Sequence, residues 1–295
     1  MPDVAVVEVG ATKIRRQRQS VVLLRRLAKD PSALTGGILF ALLALAAIFA
    51  PLLLRHPIDL VNVDVARQAP SSAYWFGTDE LGRDIFSRII YGARYSLSIG
   101  VLGVGVGAAI GMVFGAIAGY FGRWTDNIVM RLTDVLQSLP GILLAMCVSA
   151  VLGPGYINTM IALAVGNIPM SVRLMRAGIL GIRHQEYLEA AVSINARTPR
   201  IIFRHVIPNS FSPLLVSATM SIGNTIMMCA MLSFIGLGLQ PPLPEWGSMI
   251  AGGLPSFRAQ PWLVIFPGVF IMLSVLSLNM LGDGLRDVLD PKLKK

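Results

Sequence analysis

Tyr95-Ser-Leu-Ser-Ile-Gly-Val-Leu-Gly103-Val-Gly-Val-Gly107-Ala-Ala-Ile-Gly111-Met-Val-Phe-Gly115-Ala-Ile-Ala-Gly119-Tyr-Phe-Gly122 runs from Arg94 to Arg123 without one charged side chain. About 20 helical residues cross the ~30 Å hydrocarbon layer with every backbone hydrogen bond made internally, so the stretch is long enough to span a bilayer. Within it Gly103, Gly107, Gly111, Gly115 and Gly119 recur every four residues. That spacing lines them along one helix face, where the missing side chains let a neighbouring helix pack closely. A tight helix crossing is the plain reading of the stripe; a surface that slides during a working cycle is the sharper one. The fragment Gly103-Val-Gly105-Val-Gly107 superficially suggests a nucleotide loop, but it lies mid-span with no strand before it.

The rest of the chain has the same character. Of its 295 residues 54% are hydrophobic and only 14% are charged, and the mean hydropathy is +0.67, values that suit a polytopic membrane protein better than a soluble domain. Four more charge-free gaps run from Pro31 to Leu54, Val135 to Val172, Val206 to Pro244 and Ala259 to Gly282. The second of these is too long for one helix and contains the turn signal Gly153-Pro154-Gly155, which splits it. In the third, Pro208 can start a helix and the Gly/Pro-rich run from Gly236 ends it. The expectation is an all-α protein with six transmembrane spans, near 33–54, 95–120, 135–152, 156–172, 211–235 and 260–282. A basic segment, 1–30, precedes the transmembrane domain, 31–295, and a long polar loop, 173–208, interrupts that domain.

Six spans put both termini on one side. Seven basic residues, Lys13, Arg15, Arg16, Arg18, Arg25, Arg26 and Lys29, precede the first span. If that side is cytoplasmic, the inner segments hold 19 of the 25 Lys and Arg against 10 of the 16 Asp and Glu, and the outer segments balance to zero. All of the net +9 then lies inside, as the positive-inside rule requires. Topology and anionic lipid headgroups therefore account for a pI near 10.1 without nucleic acid. The 24 uncharged residues from Pro31 to Leu54 exceed a signal peptide's apolar core and read as an uncleaved anchor.

Several activities are disfavoured. No lysine sits in a Gly-Lys-Ser/Thr loop, so the chain has no Walker-type phosphate cradle. His56, His184 and His205 all fall outside the expected spans, and no HExxH or Gly-x-Ser-x-Gly motif is present. Cys147 and Cys229 lie within spans, without metal or redox spacing. No catalytic or metal site is expected. The spans hold essentially no ionisable side chain, which argues against both an ion-coupled carrier and an intramembrane enzyme. If the chain transports, a partner must supply the energy.

The loop from Arg173 to His205 carries six arginines against Glu186 and Glu189. Glu186-Tyr-Leu-Glu-Ala-Ala-Val-Ser-Ile has the composition of a short helix, with Tyr187, Leu188, Ala191 and Ile194 as an apolar stripe. Such a helix suits either another protein's groove or the membrane surface. Asn195 can end it in the left-handed conformation, and Pro199 can start a second short helix.

This segment, with Glu189, Ala190 and Ala191 followed by His205-Val-Ile-Pro208-Asn209, resembles the EAA loop of ATP-binding-cassette importer permeases. In that family a glycine comes six positions after the glutamate and a proline nineteen positions after it. Here those positions are Asn195 and Pro208, and Asn195 keeps a residue able to adopt positive φ. Other stretches are similar to the dipeptide, oligopeptide and nickel branch, in particular its dipeptide permease C type of subunit. They are Phe76-Gly-Thr-Asp-Glu-Leu-Gly-Arg-Asp84, Ile90-Tyr-Gly-Ala-Arg94, Gly119-Tyr-Phe-Gly122 with Trp124 and Asp126, Ser233-Phe-Ile-Gly-Leu-Gly238, Gln240-Pro-Pro242, Glu245-Trp-Gly247, and Asn279-Met-Leu-Gly-Asp-Gly-Leu-Arg-Asp287 through Asp290-Pro291.

The resemblance implies a type I importer permease in the bacterial inner membrane, paired with a homologous permease subunit. A cytoplasmic ATPase, using ATP and magnesium that this chain does not itself bind, would dock on Tyr187, Leu188, Glu189, Ala190, Ala191, Ile194, Asn195, His205 and Pro208. An external binding protein would deliver peptide, with nickel the alternative cargo. Candidate pathway residues are Ser138, Asn167, Met170, Thr219, Ser221, Asn224 and Met227, weakly interacting groups suited to releasing cargo. The outer segments 55–94 and 236–258 suit partner docking and ordinary loop folding about equally. Gly77-Thr78-Asp79-Glu80 reads as a helix start with Thr78 or Asp79 as the cap. At the other end Asp283, Arg286, Asp287 and Asp290 suit local salt bridges or ATPase contact.

Overall fold

A computed structural model describes residues 27–183 and 185–289. Most of the basic segment 1–30, His184 and the C-terminal Asp290 lie outside the described residues. The described chain is helical, with one isolated bridge, Thr78 to Asp84. Helix α1 (Pro31–Ile48) starts with Pro31 in its first turn, and the Asp30 carboxylate accepts from the Ala33 N–H at 2.8 Å. It breaks at Phe49 before a short α2 (Ala50–Leu53), because Pro51 has no N–H to offer the Ala47 carbonyl. The first expected span is thus two helices.

Helix α3 (Ile85–Phe121) has 37 residues and is about 55 Å long at 1.5 Å per residue, well beyond the apolar layer. It starts ten residues before the expected 95–120 span, since the helix continues past exposed Arg94, which bounded that span, and buries Arg88 within the protein. Its most extensive partner is α6 (Tyr156–Ile182). A Cβ on Gly107 would stand 2.6 Å from the Ala164 carbonyl oxygen, one on Gly115 2.5 Å from that of Val172, and one on Gly119 2.9 Å from the Ile179 Cβ. Gly111 is pressed on Ser171 in the same way. Four of the five stripe glycines are therefore sites of close helix approach. Gly103 differs, since a Cβ there would make ordinary contact at 3.6 Å.

The expected 135–152 span is corrected. An amphipathic α4 (Arg123–Gln137) and an apolar α5 (Gly141–Leu152) replace it, bent by 87° across the Ser138-Leu139-Pro140 break. Proline restricts the residue before it and so ends α4 early. At 12 residues, about 18 Å, α5 alone is too short to cross. Among the described residues five helices are long and apolar enough to span a membrane, and six if this bent pair counts as one. Gly153 and Gly155, both with positive φ, make the turn into α6.

After α7 (Glu186–Ser193), a short α8 (Thr198–Ile201) has Pro199 in its first turn and runs through a π turn at Ile202–Val206 into α9 (Ile207–Phe234). The helical run thus passes through Pro208 instead of starting there, the π turn falling just before the residue that cannot donate. α9 ends in a Schellman arrangement: Gly236 has φ 86°, and the Leu237 N–H donates to the Leu232 carbonyl at 2.8 Å. A short α10 (Trp246–Gly253) folds back, and α11 (Trp262–Leu289) packs on α1, α9 and α10.

Candidate functional site

At the EAA end, Gln185 begins α7, its carbonyl accepting from the Leu188 N–H at 2.9 Å. Asn195 ends it with φ 55°, and the Ala196 N–H reaches back to the Ala191 carbonyl at 3.2 Å, the long bond of a Schellman cap. The apolar stripe expected on this helix divides. Leu188, 4% exposed, and Ala191 enter a core with Ala116 of α3, Met175 and Ile179 of α6, Ile201 of α8, Ile202 and Val206 of the π turn, and Ile207 and Leu214 of α9. Tyr187, 38% exposed, and Ile194, 79% exposed, face outward with Glu189 and Ala190. Expecting all four apolar residues on one docking face is therefore a correction: half of the stripe holds the helix to its own chain.

That core joins α7 to the ends of three long helices, α3, α6 and α9. His205 lies half-buried in the π turn, where its carbonyl accepts from the Asn209 Nδ2 at 2.6 Å, and Pro208 is exposed. Exposed Phe203, which sequence reasoning missed, stands in the same segment. Beside the loop, Arg176 makes a bidentate pair with Asp126, the Nη2–Oδ2 arm being 2.6 Å, and Arg173 meets Asp134 at 2.6 Å. Both pairs fasten α4 to α6.

The opposite end is built differently. The Glu245 carboxylate caps α10, accepting from the Ser248 N–H at 2.9 Å, and it also accepts from the Ser96 hydroxyl of α3 at 3.2 Å. Trp246 is fully buried and donates from Nε1 to the Ile89 carbonyl at 3.0 Å. Buried Arg88 donates to the Ile58 and Pro242 carbonyls at 3.0 and 3.3 Å, pinning two loops to α3. The cap of α3 is Asp84, accepting from the Ser87 N–H at 3.1 Å, and neither Thr78 nor Asp79. Thr78 instead bridges the Val65 carbonyl and the Gln68 N–H, while Asp79 accepts from Leu81, Arg83 and the Arg83 side chain within its own turn. Conserving these loops' shape occupies most of the polar residues that sequence reasoning left open to partners.

The candidate pathway residues also divide. Met170 of α6 and Ser221 and Asn224 of α9 line one open groove of about 740 Å³, with Ser212, Ser217 and Met220 beside them and Arg286 of α11. The polar members that sequence reasoning missed carried a signal, since Ser217, Ser221 and Asn224 recur at helical spacing. Met227 lines an apolar hollow with Met146, Met231 and Phe234. Asn167 lies elsewhere, donating to the Leu163 carbonyl and the Thr225 hydroxyl at 2.8 and 3.2 Å and so joining α6 to α9. Thr219 is buried, its hydroxyl on the Leu215 carbonyl at 3.0 Å, and the Ser138 hydroxyl bonds the Val135 carbonyl at the α4 break. Among the described residues Asp283, Arg286 and Asp287 form no salt bridge within 4 Å.

Comparison with known proteins settles the family. The model of the binding-protein-dependent transport system inner membrane component family matches residues 111–295, and that of the N-terminal transmembrane domain of oligopeptide transport permease C matches 19–70. The chain belongs to this family of inner membrane transport components. It is 45% identical to the dipeptide transport system permease protein DppC of Alkalihalophilus pseudofirmus over 92% of this chain and 89% of that protein. It is also 45% identical to the glutathione transport system permease protein GsiD of Pectobacterium atrosepticum, over 92% and 90%. Among solved structures, the inward-facing MetNI methionine ABC transporter matches with a TM-score of 0.55 at 18% identity, covering 70% of this chain and 98% of that one, a likeness of fold. This permease is therefore a multi-pass inner membrane protein with the ABC-importer permease fold.

Proposed function

We propose that this permease forms half of the translocation pathway of a peptide importer. A homologous permease subunit supplies the other half, an external binding protein delivers cargo, and a cytoplasmic ATPase drives the cycle with ATP and magnesium. The chain's charge distribution supports cytoplasmic termini, with the EAA loop on the ATPase side and basic residues near anionic lipid headgroups. One observation carries the coupling role: α7 exposes Tyr187, Glu189 and Ile194 while Leu188 and Ala191 anchor it to α3, α6 and α9. An ATPase that grips the exposed face would move those helices as it closes. The naming of dipeptide and glutathione for relatives 45% identical over nine-tenths of the chain supports a peptide cargo. The open groove with Ser, Asn and Met side chains suits a ligand that must be released.

The test is reconstitution of the complete complex in liposomes with radiolabelled dipeptide, glutathione and nickel. ATP-dependent uptake of peptide supports the reading. ATP-dependent uptake of nickel alone, or a permease that recovers no ATPase, overturns it.

A further inference from the structure

Among the described residues, the groove that gathers Met170, Ser217, Ser221 and Asn224 carries one charged side chain, Arg286. Its level is set by helix packing: Met220 of α9 lies against Gly282 of α11. Arg286 follows Gly282 by four residues, one turn further toward the EAA end and on the same helix face. By that register it stands about level with Val216 and Ser217, on the EAA side of Ser221 and Asn224, all of which line the groove. Its guanidinium is exposed, and among the described residues no carboxylate lies within 4 Å of it. Asp283 and Asp287, its acidic neighbours on α11, are exposed and also unpaired there. By contrast, Arg173 and Arg176 near the same end are both committed to carboxylates.

Resting on the peptide reading above, we propose that Arg286 is a specificity residue of the groove and receives the C-terminal carboxylate of the peptide. A guanidinium presents a planar fork of donors that matches a carboxylate with two parallel hydrogen bonds. The serine and asparagine groups above it can take up the peptide's amide groups without holding a charge. A carboxylate caught there orients the peptide with its C-terminus toward the EAA end. Because Arg286 is exposed, solvent keeps the attraction moderate, so cargo is oriented and still leaves.

The experiment uses the purified permease–ATPase complex without nucleotide or binding protein, titrated with Ala-Ala and with its C-terminal amide. The wild-type complex should bind the free acid about tenfold more tightly than the amide, as expected for a charge-assisted hydrogen bond. Arg286→Gln should lower acid affinity to the amide's level and leave the amide unchanged, with Arg286→Lys between the two. Equal affinity for acid and amide in the wild type overturns the proposal, as does an acid-to-amide ratio that survives Arg286→Gln. Arg286→Gln weakening both peptides alike, and only in nanodiscs containing anionic lipid, assigns the arginine to a lipid headgroup and also overturns it. A wild-type complex that imports peptide normally but shows no acid preference sinks this proposal alone. One that neither binds nor imports either peptide sinks the peptide reading with it.

Discussion

The two ends of this permease use polar residues in opposite ways. At the Trp246 end, Arg88, Asp84 and Glu245 are buried, and each ties a loop or helix start to backbone groups or hydroxyls. At the EAA end, Glu189 is exposed, and α7 is a helix of 8 residues held by two apolar side chains at its core. A buried charged group must keep its partners or leave an unpaired charge, so the Trp246 end has few alternative arrangements. A short helix anchored by nonpolar contact can tilt or shift with its core while losing little. On the coupling role proposed above, one end holds still and the other is pushed.

Removing the indole should have the largest effect. Trp246→Ala empties a fully buried site and removes the indole N–H bond to the Ile89 carbonyl, and it should cost about 3–5 kcal/mol, read as a large drop in the melting temperature of the detergent-extracted complex. A melting temperature within a degree or two of wild type would break the contrast. Leu188→Ala comes next, at about 2–5 kcal/mol, but because α7 is a short unit the loss should appear locally. Hydrogen exchange of residues 186–195 should rise and ATP-driven uptake should fall, while global melting changes little.

Glu189→Lys probes the exposed face and should leave folding unchanged. Its expected signature is uncoupling, with ATP hydrolysis persisting and peptide uptake lost, measured together in liposomes. Unchanged uptake would remove Glu189 from the coupling face. Asn195→Gly should have the smallest effect, stabilising the end of α7 by at most about 1 kcal/mol, because glycine adopts positive φ without a Cβ penalty. Asn195→Val, which resists that conformation, should instead increase exchange at the helix end.

These contrasts also explain what the sequence disclosed. The glycine stripe, the Gly153-Pro154-Gly155 turn and the positive φ of Asn195 were legible because each rests on geometry that few residue types satisfy. The start of α3 was hidden because counting charges treats Arg94 as a membrane edge, whereas the helix runs on past it and buries Arg88 among loop carbonyls. The bend between α4 and α5 was hidden for a related reason: a charge-free gap shows apolar length but not the direction of the helix axis. The EAA stripe was visible as a pattern, yet only the fold separates Leu188 and Ala191, turned inward, from Tyr187 and Ile194, turned out. Of the pathway residues, composition could suggest polar groups within spans, but Asn167 and Thr219 proved to serve helix packing and self-capping.

On the proposed coupling, ATPase closure moves the EAA end as a unit while the Trp246 network stays intact. Hydrogen–deuterium exchange on the reconstituted complex, nucleotide-free against ATP with vanadate, addresses it most directly. Protection should change at residues 186–207 and at the adjoining ends of α3 and α6, with 84–96 and 245–253 unaltered. Equal changes at both ends, or a change confined to the Trp246 end, would contradict the account.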